Sequence, residues 1–272
     1  MKPTSTSPID GHLTDRDIRL LEDLERFRLL TTRQLQRLRF PSAPLGAHAT
    51  TSSATRGTTR VLGRLEQLGA IARLERRIGG IKHGSAVAIW QLGPAGDRYL
   101  RARRGDPIRR RYDEPGLTFV DHQLAVADIA ISVIEQAEAG RFDLLELDLE
   151  SACWRSFTGT TNTLVTLKPD LLIVTANETT ETHSFVEVDR GTEHLPAVLR
   201  KCRIYQRYKN TGTEEATRGL FPAVIWIVPD AVRATKIRTA IAGDSTLQSD
   251  LFWTITPEQT LQHLAPYEAA TT

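Results

Sequence analysis

The stretches LKPDLLIVT (Leu167–Thr175) and HSFVEVDRGTEH (His183–His194) decide how this chain folds. Each holds an apolar run of strand length, and the polar tip ANETTET (Ala176–Thr182) separates them, so they read as an antiparallel hairpin. One register places Asp170 opposite Glu187 and Lys168 opposite Asp189. Side chains alternate across a strand, so that register puts all four residues on one face. Two facing carboxylates repel each other and become favourable when a divalent cation sits between them. Hard oxygen ligands without a neighbouring Cys or His suit Mg²⁺ or Mn²⁺ better than zinc. The plainer alternative is a set of ordinary ion pairs at a strand end, Lys168 with Asp189 and Arg190 with Glu193.

Working outward, His122–Ala139 has helical spacing, with Leu124, Asp128, Ile131 and Glu135 on successive turns, and RFDLLELDLE (Arg141–Glu150) alternates as a strand. A long irregular stretch is expected before the hairpin. After it come a helix over LPAVLRKCRIYQRYKN (Leu195–Asn210), a buried strand in PAVIWIVP (Pro222–Pro229), a helix over Ala231–Gly243 and a last strand in DLFWTIT (Asp250–Thr256). The order αβββαβαβ predicts an α/β domain with a central mixed sheet flanked by helices.

The N-terminal part has a different pattern. Thr14 caps a first helix with Asp17 three residues on, and Ile18, Leu21, Leu24 and Phe27 follow at helical spacing. Thr31 or Thr32 starts a second, short helix that Pro41 and Pro44 end. A third, roughly Ala54 to Leu68, turns Val61, Leu62, Leu65 and Leu68 inward and sets Arg56, Arg60 and Arg64 along the opposite side; Gly69 stops it. AIARLERR and AVAIWQL then flank the tip IGGIKHGS, a glycine-bearing hairpin carrying Arg76, Arg77, Lys82 and His83. Three helices and a basic hairpin predict a winged helix-turn-helix, whose third helix enters a major groove of double-stranded DNA while the wing touches phosphates. No residue reveals a base sequence, because arginine suits phosphate and guanine equally well. The expected organisation is a disordered stretch over 1–12, the winged helix over 13–100, a basic linker over 101–117, the acidic α/β domain over 118–265 and a tail over 266–272.

Charge supports that division. Residues Thr55–Arg111 hold 14 Lys/Arg against 4 Asp/Glu, whereas Tyr112–Leu195 hold 4 against 16. A basic segment beside an acidic one fits a polyanion-binding module joined to one that uses carboxylates. The longest uninterrupted apolar run, Ala223–Val228, is too short to span a bilayer, and the polar N-terminus lacks a secretory segment. No membrane is expected, and the cytoplasm is the expected compartment. Cys153 and Cys202 have neither metal-ligand nor disulfide spacing and read as reduced, ordinary residues.

Pro169-Asp170 followed by Glu187-Val188-Asp189 resembles the PD-(D/E)XK nuclease superfamily, and the element order agrees. The winged helix together with KPDLLIV, FVEVDRGTEH and LRKCRIYQRY looks like the replication-relaxation family and is similar to the MOB-C type of plasmid relaxase. The resemblance implies a restriction-endonuclease-like domain in which Asp170 and Glu187 hold the metal and a lysine assists. It departs at Asp189, where the superfamily has that lysine. Lys168 on the adjacent strand and Lys201 on the following helix are the candidates to supply it, and Asp121, Asp128 or Glu135 could add a further acid.

The seven histidines never form the His-x-His cluster a tyrosine relaxase needs, and neither a phosphate-binding loop nor a dinucleotide fingerprint occurs. Two readings follow. One is a Mg²⁺-dependent endonuclease or nickase brought to a plasmid or mobile-element origin, with relaxosome proteins and a second copy of the chain as candidate partners. The other is a non-catalytic DNA-binding accessory factor or transcription regulator built on a degenerate nuclease fold.

Overall fold

The computed structural model describes residues 9–74, 88–106, 116–159 and 162–266. Compact contacts divide the chain into two units, Met1–Ile131 and Ser132–Thr272. The protein is α+β, with a three-stranded sheet in the first unit and a five-stranded mixed sheet in the second.

In the first unit, α1 (Asp15–Phe27) begins at Thr14. The Thr14 hydroxyl accepts from Asp17 N at 3.3 Å, and the Asp17 carboxylate accepts from Thr14 N at 2.7 Å, which satisfies two otherwise orphaned donors. Strand β1 (Leu30–Thr31) leads into α2 (Thr32–Arg39), where Thr31 and Gln34 repeat the device. Helix α3 (Thr51–Gln67) starts a turn earlier than the leucine spacing suggests, because Thr50 and Ser53 cap it. Strands β2 (Ile71–Arg73) and β3 (Ile89–Leu92) pair antiparallel, and β1 joins the far edge of β3 with Leu30 opposite Trp90. Helix α4 (Pro94–Arg104) follows at Gly93, where a Cβ would lie 2.4 Å from the Gly69 carbonyl oxygen, so only glycine lets the two chain segments approach. Leu20, Leu21, Leu24, Leu35, Leu62 and Leu65 form the interior.

Helix α5 (Leu117–Glu138) contains the boundary between the units. Its length and composition alone would allow it to cross a membrane. Val126, Ala127, Ala130, Ile131 and Val133 are buried in the protein, the pattern of a core helix.

The second unit consists of β4 (Asp143–Leu149), β5 (Arg155–Thr158), β6 (Leu164–Leu167), β7 (Leu171–Ala176), β8 (Glu181–Val188), α6 (Leu195–Lys209), α7 (Thr213–Arg218), β9 (Ala223–Ile227), α8 (Ala231–Ala242), β10 (Phe252–Ile255) and α9 (Thr260–Leu264). The sheet order is β10-β9-β8-β7-β4. Strands β4, β7 and β8 form an antiparallel meander, and β9 and β10 run parallel to β8 after helical crossovers. Every residue of β7 is buried, as its unbroken apolar run requires of a central strand. Phe185, Leu172, Val224 and Trp226 pack with Val198, Cys202 and Tyr205 of α6 and Ile237 and Ile241 of α8. The stretch before the hairpin is not irregular as expected: β5 and β6 pair within it, Arg155 opposite Leu167. Short strands of mixed composition carry too little periodicity to be seen in the sequence.

Candidate functional site

Strands β7 and β8 pair with Leu171 opposite Val186 and Ala176 opposite Glu181, the register inferred from the sequence. One step beyond the last strand pair, Asp170 N donates to Val186 O at 3.1 Å, and Val188 N donates to Asp170 Oδ2 at 2.7 Å. Asp170 and Glu187 thus lie next to each other just past the last paired residues of the hairpin, and both are buried. Pro169 has no N–H to extend the ladder further. Strand β4 adds a third acid: Leu149 faces Leu171, so Glu150 follows beside Asp170, and their carboxylate oxygens approach within 4.8 Å.

Helix α6 supplies the cations and donors for this face. Lys201 and Tyr205 are four residues apart and so point the same way. Tyr205 Oη donates to Glu187 Oε1 at 2.5 Å, and the Lys201 ammonium pairs with Glu187 Oε2. Burial pushes Glu187 above the ordinary carboxylate range; Lys201 opposes that shift, and the Asp170 charge adds to it. Burial alone would lower Lys201, but the Glu187 and Asp170 carboxylates outweigh it and hold the amine well above its usual value. Tyr205 is likewise raised by burial and by Glu187, which keeps its hydroxyl a donor. The Cys153 thiol donates to Pro169 O at 3.1 Å and is pushed up to about 12 by burial, with Asp170 and Glu187 adding, so it is not a nucleophile near neutral pH.

The expected Lys168–Asp189 pairing does not form. Lys168 Nζ lies 4.4 Å over the Trp154 ring. Asp189 falls after β8 ends, so strand alternation no longer directs its side chain. Its Oδ1 accepts from Gly191 N at 2.8 Å and its Oδ2 from Arg233 Nε at 2.6 Å, while Arg233 Nη2 donates to Glu193 O at 2.6 Å. Gly191 has φ +80°, and a Cβ there would lie 3.2 Å from Pro229 Cγ. Asp189 is thus the hub of the turn between β8 and α6. Of the five residues singled out for chemistry, Asp170, Glu187 and Lys201 come together, and Lys168 and Asp189 turn to other partners.

Sequence reasoning missed Glu150 and Arg233. Glu150 depends on the pairing of β4 with β7, which shifts between Leu144 and Glu146 and which the hairpin register does not fix. Arg233 left no signal, since it meets Asp189 from 44 residues away.

In the first unit, Arg56 and Arg60 are exposed on α3, and neither forms an ion pair with a described residue. Arg64 is held differently: Nη2 pairs with the buried Asp17 Oδ1 at 2.6 Å, and Nη1 donates to His12 O at 2.8 Å. Asp128 is engaged by Gln34 Nε2 at 2.9 Å and Arg37 Nη1 at 3.3 Å. Arg76, Arg77 and Lys82 lie outside the described residues.

No curated protein and no solved structure matches this chain. The replication-relaxation family model matches residues 21–224, from α1 to the start of β9, a span that includes Glu150, Asp170, Glu187, Lys201 and Tyr205. The chain therefore belongs to the replication-relaxation family.

Proposed function

We propose that this protein binds double-stranded DNA through its first unit and cuts one phosphodiester bond through its second, in the replication or mobilisation of a plasmid or mobile element. Family membership points to replication or mobilisation. The observation that carries the catalytic part is the neighbouring pair Asp170 and Glu187, both buried, with the Lys201 ammonium on Glu187. This is the arrangement that the PD-(D/E)XK resemblance implies, with the lysine coming from α6 in place of position 189.

The donor set fits a hard divalent cation. Asp170 and Glu187 offer oxygen, and their burial side by side makes a counter-ion favourable; Glu150 brings a further carboxylate close to Asp170. Mg²⁺ or Mn²⁺ there would polarise a phosphodiester and activate water. Asp170 is held through Oδ2 by Val188 N and Glu187 through Oε1 by Tyr205, so both carboxylates are oriented in advance. The Lys201 side chain is 27 % exposed and so reaches the surface, where it would meet phosphate charge.

The DNA-binding part rests on three capped helices, a three-stranded sheet in the order β1-β3-β2 and the exposed Arg56 and Arg60 of α3. These are features of a winged helix-turn-helix that places α3 in a major groove. The substrate class is duplex DNA at a plasmid or element origin, in the cytoplasm, with relaxosome proteins or a second copy as partners. A second reading, a DNA-binding accessory factor or regulator that does no chemistry, is favoured by one observation: Asp189 stands where the lysine belongs and is tied to Arg233.

Incubating the protein with supercoiled plasmid carrying its native neighbouring DNA, with Mg²⁺, Mn²⁺ or chelator, separates the two. Metal-dependent conversion to open circle, absent in Asp170→Asn while duplex binding persists, is the expected outcome. Gel-shifted DNA that is never cut under either metal would leave the accessory reading standing.

A further inference from the structure

Glu187 is held by two donors of different character. Lys201 ends a flexible chain that reaches the surface. Tyr205 is 0 % exposed, and its ring packs against Phe185 at 5.7 Å between centroids within the cluster that contains Val198, Cys202 and Trp226. A ring fixed on every side gives its hydroxyl one direction, and that direction is Glu187 Oε1. The two donors also take separate oxygens, Tyr205 on Oε1 and Lys201 on Oε2.

We infer that Tyr205 is the positioning residue of the site: it locks Glu187 by Oε1 and so leaves Oε2, the oxygen Lys201 holds, as the one surrendered to a divalent cation. The inference rests on the metal reading proposed above and adds the order in which the residues act. A divalent cation at Oε2 would compete with the Lys201 ammonium, which would then be free to meet phosphate. Tyr205 stays in place throughout, because nothing around its ring can yield without disturbing the core.

Tyr208 provides the internal control. It lies on the same helix, is also buried, and donates to Glu214 Oε1 at 2.9 Å. The test is Mn²⁺ binding to the full chain by isothermal titration, with urea unfolding alongside, for wild type, Tyr205→Phe, Tyr208→Phe and Lys201→Met. Tyr205→Phe should raise the Mn²⁺ Kd by about tenfold, the effect typical of losing a partner that orients a ligand. Tyr208→Phe should lose stability without moving the Kd, and Lys201→Met should bind Mn²⁺ more tightly than wild type.

An unchanged Kd in Tyr205→Phe, or an equal rise in Tyr208→Phe, overturns the inference and leaves the metal reading intact. If Tyr205→Phe does not fold, Lys201→Met decides: tighter binding supports Tyr205 as the fixed anchor, and weaker binding makes Lys201 the positioning group instead. A wild-type chain that binds no Mn²⁺ sinks the metal reading and this inference with it.

Discussion

Asp189 illustrates what a single position can and cannot say. Its place after Glu187 and Val188 makes it look like a member of the acidic face, yet its carboxylate closes the turn through Gly191 and Arg233. The pair is well shielded, with the two side chains 14 % and 0 % exposed for Arg233 and Asp189. Removing one partner of such a pair strands the other charge, which costs about 3 kcal/mol or more. Arg233→Ala is therefore expected to lower unfolding free energy by about 3 kcal/mol, read from the urea midpoint. A loss within about 0.5 kcal/mol, the range of ordinary surface substitutions, would show that the turn does not depend on this clip.

At the scale of elements, α3 divides its arginines between two tasks. Arg56 and Arg60 are exposed, while Arg64 neutralises the buried Asp17 at the start of α1. Arg56→Ala or Arg60→Ala should weaken duplex binding with an unchanged melting temperature. Arg64→Ala should lower the melting temperature instead; fluorescence anisotropy and thermal unfolding on the same variants distinguish the cases. Helical periodicity puts all three on one stripe, and only the partner supplied by α1 separates them.

The second unit has a comparable network between elements. Arg218 of α7 grips Glu146 of β4 at 2.7 and 2.9 Å and Glu214 at 3.1 Å, and Arg155 of β5 reaches Glu214 at 2.5 Å. The Arg218 guanidinium holds the Glu146 carboxyl below its ordinary value, against the effect of burial. A depressed folded pKa means a contribution fully present above the unfolded value and lost as pH falls through the folded one. The stability difference between wild type and Glu146→Gln should accordingly be full near neutral pH, start to shrink as pH falls through the ordinary carboxylate value of 4.5, and vanish only below the depressed folded value. A difference that persists undiminished in acid would detach Glu146 from this linkage. Neither β5 nor α7 was legible in the sequence, because each is short and is held by these charges as much as by apolar burial.

Across the whole molecule, the basic and acidic segments differ by 14 cations to 4 acids against 4 to 16. Binding that uses the exposed arginines should weaken steeply with salt, and each phosphate contact removed by Arg56→Ala or Arg60→Ala should reduce the log–log salt slope by about one. A slope unaffected by either variant would place the duplex elsewhere.

The first two helix caps, the existence of the five strands of the large sheet and the hairpin register were present in local patterns: Thr14 with Asp17, Thr31 with Gln34, and two apolar runs about a polar tip. These depend on residues near each other in the chain, where periodicity and hydrogen-bond reach constrain the answer. Which lysine meets Glu187, which arginine closes on Asp189, and that Glu150 joins Asp170 were decided only when α6, α8 and β4 came together around the hairpin end. Such choices are made by packing between distant segments, where a charge takes the partner that the buried geometry brings within reach, and no local pattern encodes that distance.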